Sequence, residues 1–325
     1  DNDSADLLDD VLESKPLAEV DEWSEIAALA DTAARVIGTA NGTPANPALT
    51  AIELNALGLT DDPVTVDEPV TNDNLAAVTA ALANANVAGV DSLSKLDTLI
   101  TNTVSDFNAA RAAVTNYAGD STDAIGLNSA NGNAQYPAPT GTQYQDLGVD
   151  LASYANSSDL VDSVNTVLAS GPVIGADDVA EPDVSTAAEV KALFAAYDKI
   201  RAADATDTNI PALNLNQSDY EALGLGGVVD FTANATEKLA LLNGVLDERS
   251  GVNTTNVASW SDLQGMAGTV DELIASAASG ASSTTLSVSD LDTLGFSNVD
   301  IDNLDAVLQA IADSNPADLQ AFSDG

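Results

Sequence analysis

The chain has 325 residues, of which 51 are Asp or Glu and nine are Lys or Arg, so its formal net charge is −42. This charge would repel nucleic-acid backbones and anionic membranes, and we expect neither as a partner. The sequence contains no Cys and no His, which excludes disulfides, thiolate nucleophiles, imidazole bases and the usual zinc ligands. No stretch approaches the roughly 18 consecutive apolar residues of a membrane-spanning helix, so membrane insertion is not expected.

Two amphipathic helices are predicted at the start of the chain. The first, which we call element B, is short and places apolar residues at positions 7, 8, 11 and 12. The second, element C, has apolar residues spaced alternately by three and four, which marks one face of a helix. In the first copy of element C these residues are Trp23, Ile26, Ala30, Ala33 and Ile37.

A third recurring phrase, element A, predicts a short helix that ends in Leu-Gly. It has a polar opening, an apolar residue, three further positions and then the Leu-Gly pair. Glycine just past the last apolar position is the usual helix stop, because the left-handed conformation costs it nothing there. The copies of element A end at Gly58, Gly148, Gly224 and Gly295.

The order A, B, C recurs along the chain in a constant register. Superposing Trp23 on Trp260, 237 residues further on, also superposes Val20 on Val257 and Ile37 on Ile274. Three units in that interval give a period of about 79 residues. Element B repeats as well, since Asp-Asn-Leu occurs at 73–75 and at 302–304. Self-similarity of this kind indicates tandem units that stack on one another or are strung together.

We therefore predict an all-α fold of tandem three-helix units strung into an elongated array, mostly helical and without a β-sheet. The expected segments are a partial repeat with elements B and C, three repeats, and a partial repeat with A, B and the start of C. Since the chain begins in B and ends within C, it is expected to be a slice of a longer repetitive polypeptide. The segments cover 1–47, 48–139, 140–209, 210–283 and 284–325.

Calcium is the only cofactor that the sequence suggests. Asn298, Asp300 and Asp302 alternate in the loop between elements A and B of the last segment, and four acidic residues lie between 61 and 68 in an equivalent loop. Oxygen ligands at alternate loop positions suit Ca²⁺. The glycine and closing glutamate of an EF-hand are absent at the required spacing. Solvated carboxylates that cap helices are the alternative, and we favour it.

No motif points to catalysis, and we predict that the chain is not an enzyme. Neither G-x-S-x-G nor a G-x-G-x-x-G opening a helix after a strand is present. Pairs of carboxylates are too common here to identify an acid–base pair. The two tryptophans, Trp23 and Trp260, lie at matching positions of element C, and we predict that both are buried in helical cores rather than exposed to a ligand.

Three phrases carry a resemblance to a known class of proteins: LTAIELNALGL, NDNLAAVTAALANANVAGVDSLSKLDTLI and LSVSDLDTLGFSNVDIDNLDAVLQAI. They resemble the helical repeats of very large secreted bacterial surface proteins, of the repeats-in-toxin adhesin and biofilm-associated kind. The resemblance covers nearly the whole chain and is weakest over 140–209. It implies an extracellular location on the bacterial cell surface, calcium-rich surroundings and a part in cell adhesion and biofilms. The calcium-binding Gly-Gly-x-Gly-x-Asp nonapeptides of such proteins are absent, which implies an interior stretch.

The function expected from these features is structural. The chain would be a spacer or stalk segment whose partners are neighbouring repeats of the same polypeptide. The alternative is a self-assembling surface-layer or filament subunit, whose partner is its own copy. A module that binds a specific ligand is a third class, and it would use the long loop at 119–139, since long loops in compact domains are often functional.

Overall fold

The computed structural model describes ten stretches of the chain, and they contain thirteen α-helices, a few 3-10 turns and no strand. The prediction of an all-α fold is confirmed at this level. The described residues are 2–59, 70–118, 137–155, 157–170, 184, 186–203, 215–226, 228–252, 260–296 and 298–319. The acidic stretch at 61–68 and most of the loop at 119–139, both singled out from the sequence, lie outside them.

The chain divides into two compact units, Asp1–Ala112 with Thr140–Asp150, and Ala113–Pro139 with Leu151–Gly325. The five segments expected from the sequence stay predictions. The helices of the first unit, with α5 reaching six residues beyond it, are α1 (Asn2–Ser14), α2 (Trp23–Ala40), α3 (Ala51–Ala56), α4 (Leu75–Asn84), α5 (Leu93–Ala118) and α6 (Gly141–Asp146).

Helix α2 organises the core of the first unit. It packs against α1, α3 and α4, and its inward face buries Leu29, Ala33 and Val36. Leu7 and Val11 of α1 lie in the same core. Three residues of α5 complete the core, namely Leu96, Ile100 and Val104.

The second unit has two helices that act as packing centres. Helix α8 packs against α7, α9 and α10, whereas α11 packs against α10, α12, α13 and α7. The helices of this unit are α7 (Ser157–Ser170), α8 (Ala187–Ala203), α9 (Gln217–Ala222), α10 (Ala235–Val252), α11 (Trp260–Ser279), α12 (Val288–Thr293) and α13 (Leu304–Ala312).

Four helices of six residues correspond to the four copies of element A. Helices this short are not stable in isolation, and each is held at its start by a reciprocal capping box. In each box the side chain of the first residue accepts the backbone N–H of the residue three positions later. The side chain of that later residue accepts the backbone N–H of the first. The pairs are Thr50 with Glu53, Thr140 with Gln143, Asn216 with Asp219, and Ser287 with Asp290.

The ends of these four helices are as regular as their starts. Each is followed by glycine with φ between 77° and 93°, a left-handed conformation that glycine adopts without strain. After α6, the N–H of Val149 donates to the Tyr144 carbonyl (3.0 Å) and that of Gly148 to the Gln145 carbonyl (2.7 Å). These are the paired bonds of a Schellman motif. The Leu-Gly phrase therefore marked the helix ends correctly.

The prediction that Trp23 is buried is wrong, because its side chain is 81% exposed. Trp23 is the first residue of α2, and the buried part of the helix begins only at Leu29. The apolar stripe of element C thus extends beyond the part of the helix that neighbouring helices cover. The side chain of Trp260 lies outside the described residues.

Candidate functional site

The loop that the sequence suggested for calcium is held by its own hydrogen bonds. Oδ1 of Asp300 accepts the backbone N–H groups of Asp302 and Asn303, both at 3.0 Å. The Asp300 N–H donates to Oδ1 of Asn303 (2.9 Å), whose Nδ2 donates to the Asn298 carbonyl (2.9 Å). Asn298 itself has φ of 69°, and asparagine is among the residues that tolerate this conformation.

The same arrangement precedes α4, after the second acidic loop, whose residues at 61–68 lie outside the described residues. The Thr71 N–H donates to Oδ1 of Asn74 (2.8 Å), and the Asn74 N–H donates to the Thr71 hydroxyl oxygen (3.3 Å). Asp300 thus occupies the place of Thr71 as the residue that receives the first free N–H groups of the helical turn. Among the described residues, no group of three or more His, Cys, Asp or Glu side chains lies close enough to hold a metal. The calcium site suggested at Asn298, Asp300 and Asp302 stays a hypothesis, and capping carboxylates stay the favoured alternative.

We expect no saturable calcium binding to this loop in high NaCl, because an Asp300 oxygen already serves the backbone and salt screens the remaining charge. Isothermal titration in high NaCl measures this directly. Discrete binding that disappears in the double variant Asp300→Ala, Asp302→Ala would contradict the expectation and make calcium part of the architecture. Asp300→Asn is the matched control, because asparagine keeps the capping oxygen and removes the charge.

Arg35 forms ion pairs with two carboxylates in the first unit. Its Nη2 lies 2.6 Å from Oε1 of Glu53, and its Nε lies 2.9 Å from Oδ2 of Asp31. Nη1 also donates to the Pro47 carbonyl (3.3 Å). The hydrogen bond from Arg35, supported by Thr50, lowers the pKa of Glu53 to about 2 although burial opposes this. The cluster fastens α3 and the stretch before it to α2.

In two other long helices, α8 and α11, the equivalent position contacts the next short helix or the stretch before it. Arg35 is the thirteenth residue of α2, and Lys199 is the thirteenth of α8. The Lys199 amine lies 2.6 Å from Oδ1 of Asp219, in the capping box of α9. In α11 the position is Glu272, which accepts bonds from the Ser283 and Thr285 hydroxyls at 2.7 and 3.1 Å. The contact is an ion pair in α2 and α8 and a pair of hydrogen bonds in α11. In all three it holds the following short helix, or the stretch before it, against the long helix.

A buried lysine ties the loop before α10 to α11. Lys238 is only 3% exposed, and its amine lies 2.7 Å from Oδ1 of Asp271 and donates to the Asp230 carbonyl. The Asp230 N–H donates to the same Asp271 oxygen (3.1 Å). The amine is therefore satisfied within the fold, as a buried charge must be. The sequence analysis did not identify Lys238 or Arg35. Both are basic residues within helices, and such residues are rare in a chain with nine Lys and Arg. That rarity is the signal by which they could have been found.

An apolar cleft of about 340 Å³ opens in the first unit between the end of α2, the stretch at 42–49 and α4. Its walls include Pro44, Ala45 and Leu49. Thr39 and Thr79 also line it, and their hydroxyls donate to the carbonyls of Arg35 and Leu75 in their own helices. The cleft is therefore a small hydrophobic surface rather than a polar site.

Comparison with known protein families, with curated proteins and with solved structures gave no match to this chain. None of the described helices is long and apolar enough to cross a membrane.

Proposed function

We propose that the chain is a non-catalytic spacer or stalk segment of an exported bacterial surface adhesin, built from tandem three-helix units. The observation that carries the proposal is the recurrence of one helical phrase with the same ends. Each of α3, α6, α9 and α12 begins in a capping box and ends at a glycine with positive φ. Recurrence of one local structure along a chain is characteristic of a scaffold built from stacked repeats.

The helix contacts support the same interpretation. Helix α2 contacts the A helix and the B helix that follow it, α3 and α4. Helix α8 contacts α9 and α10 in the same roles, and α11 contacts α12 and α13. One packing pattern repeated in this way lets a chain grow by addition of units, since each unit is stabilised by its neighbours. The acidic surface fits a long secreted chain, because a high net charge of one sign opposes non-specific association.

Sedimentation velocity tests the proposal. At low protein concentration we expect a monomer of 32.9 kDa that sediments more slowly than a compact sphere of that mass, because an array of small units is long. A monomer with the frictional ratio of a compact globule would contradict the spacer function.

The alternative function, a subunit that assembles with its own copies, is favoured by one specific observation. Leu17 and Trp23, at the turn that leads into α2, are each 81% exposed. Ile52 and Ile301 are also exposed, but Leu17 and Trp23 lie within seven residues of each other in the chain, and it is exposed apolar side chains grouped in a patch that mark protein-binding surfaces.

A further inference from the structure

One position of the B helices contacts the residue that precedes the short A helix. In α10 this position is Asn243, whose Nδ2 donates to the Leu215 carbonyl (2.9 Å) and whose Oδ1 accepts the Leu215 N–H (3.2 Å). In α7 it is Asn165, which is buried and donates to the Pro139 carbonyl at 2.9 Å. Leu215 and Pro139 each lie directly before the first residue of a capping box. In both places a carboxamide of the B helix binds the backbone of this residue.

The corresponding residues of the first unit are Thr79 in α4 and Leu49, which directly precedes the capping box of α3. Thr79, Asn165 and Asn243 each follow an apolar residue and precede a leucine by three positions. A threonine side chain is one atom shorter than a carboxamide side chain. The Thr79 hydroxyl donates instead to the Leu75 carbonyl of its own helix (2.9 Å).

The backbone of Leu49 is buried without a hydrogen bond. Leu49 is only 4% exposed, and within the described part of the chain neither its N–H nor its carbonyl is hydrogen-bonded. Buried backbone groups are almost always paired, so two unpaired groups on one residue require an explanation. Leu49 and Thr79 both line the apolar cleft of about 340 Å³. The side chains of the cleft are apolar or satisfied, and the backbone of Leu49 supplies its polar groups.

The space beside Thr79 follows from the residue at that position. In the second unit the counterpart position is filled by an asparagine of the same repeat's own B helix, and not by a neighbouring repeat. In the last copy it is Leu308, a larger side chain that is buried, and the N–H of Leu286 donates to the Ser283 hydroxyl oxygen (3.2 Å). Among the described copies, only the first unit combines a short side chain here with an unpaired N–H before its A helix.

We propose that this cleft binds a small neutral molecule that carries a primary or cyclic amide on an apolar group. The amide donates to the Leu49 carbonyl and accepts the Leu49 N–H, as the Asn243 carboxamide does at Leu215. One amide makes both bonds only when its N–H and C=O lie on the same side, which excludes a trans peptide bond. The apolar group lies against Pro44 and Ala45.

The size and charge of the cleft fit such a ligand. Its volume is at the lower end of the range for small-molecule sites, about 300–1,000 Å³. The lining residues carry no charge, and burial of a ligand charge there would be costly. The site lies within one unit, and a spacer does not require it, so this inference goes beyond the proposed function.

Titration of the ¹⁵N-labelled chain with benzamide, followed at the Leu49 amide resonance, tests the proposal. Benzamide is expected to give a saturable shift with a dissociation constant in the millimolar range, because the ligand is small. Acetophenone has the same shape but a methyl group in place of the amide nitrogen, so it cannot donate. It is expected to bind at least about fivefold more weakly, the value of one hydrogen bond.

Thr79→Asn is the blocking variant, because it brings the carboxamide of the counterpart repeats into the cleft. Without ligand, its Leu49 amide resonance is expected to shift in the direction that benzamide causes in the wild type, and saturable benzamide binding is expected to be lost. Thr98→Asn is the matched control. Thr98 is exposed on α5, and its hydroxyl also donates to the carbonyl four residues earlier.

Three results would overturn the proposal: no saturable shift at Leu49, equal affinity for benzamide and acetophenone, or undiminished benzamide binding in Thr79→Asn. The comparison of the two ligands uses the wild-type chain, so it decides the question even if Thr79→Asn does not fold. None of these measurements depends on the shape of the chain, so failure of this proposal is distinguishable from failure of the spacer function.

Discussion

Replacement of Tyr220 by Ala is expected to lower the free energy of unfolding of the second unit by about 3–5 kcal/mol, the range for deletion of a large buried ring. Tyr220 is fully buried in α9, and its ring lies against that of Phe231 with centroids 6.1 Å apart. Its hydroxyl donates to Oδ1 of Asn243 (2.9 Å), which also accepts the Leu215 N–H. Burial raises the pKa of the phenol, so the hydroxyl stays protonated and able to donate.

Tyr220→Phe separates the hydroxyl from the ring. It is expected to cost about 1 kcal/mol, the usual net value of one hydrogen bond, because Asn243 keeps its bonds to Leu215. Chemical denaturation followed by circular dichroism measures both variants. A cost below about 1 kcal/mol for Tyr220→Ala would mean that α9 is not packed as described.

Replacement of Arg35 by Met is expected to cost about 2–3 kcal/mol at pH 7, less than the loss of a fully buried pair because Glu53 is partly exposed. The variant loses the bonds to Glu53 and Asp31 and leaves the Pro47 carbonyl without this donor. Lys199→Met is the matched control at the equivalent position of α8. Since the Lys199 side chain is 45% exposed, its loss should cost no more than about 1 kcal/mol.

The difference in stability between the wild type and Arg35→Met should depend on pH. The folded pKa of Glu53, about 2, is below its ordinary value of 4.5. A carboxylate with a depressed pKa stabilises the fold above its unfolded pKa, and this contribution disappears as the pH falls through the folded value. The difference is therefore expected to be constant above about pH 5 and to shrink towards pH 2. A difference that stays constant down to pH 2 would show that Arg35 acts through packing alone.

The short helices are the part of the fold that the sequence predicts best. Their signals are local, since the polar opening and the Leu-Gly ending lie within ten residues and act on the backbone of the same turn. The capping pair Asp300 and Asn303 has the same local character. It resembles a metal loop because carboxylates that receive backbone N–H groups and carboxylates that bind calcium occupy similar loop positions.

Burial at helix ends and long-range ion pairs could not be read from the sequence. Trp23 continues the apolar stripe of α2, but whether its side chain is buried depends on whether another helix covers the start of α2. The spacing of apolar residues predicts a helix face and contains no information about which helix covers it. Likewise, Arg35 and Glu53 are 18 residues apart, and their contact depends on the path of the intervening stretch. The local sequence pattern therefore predicts where the helices lie, but the contacts between helices can be identified only from the three-dimensional structure.

Small-angle X-ray scattering of the monomeric chain tests the spacer function most directly. A compact globular domain of this length would have a radius of gyration of about 20 Å. An array of stacked helical units is expected to exceed that value by roughly half or more, with a pair-distance distribution that has a long tail. A radius of gyration near about 20 Å with a symmetric distribution would contradict the account, because the chain would then be a compact domain rather than a spacer.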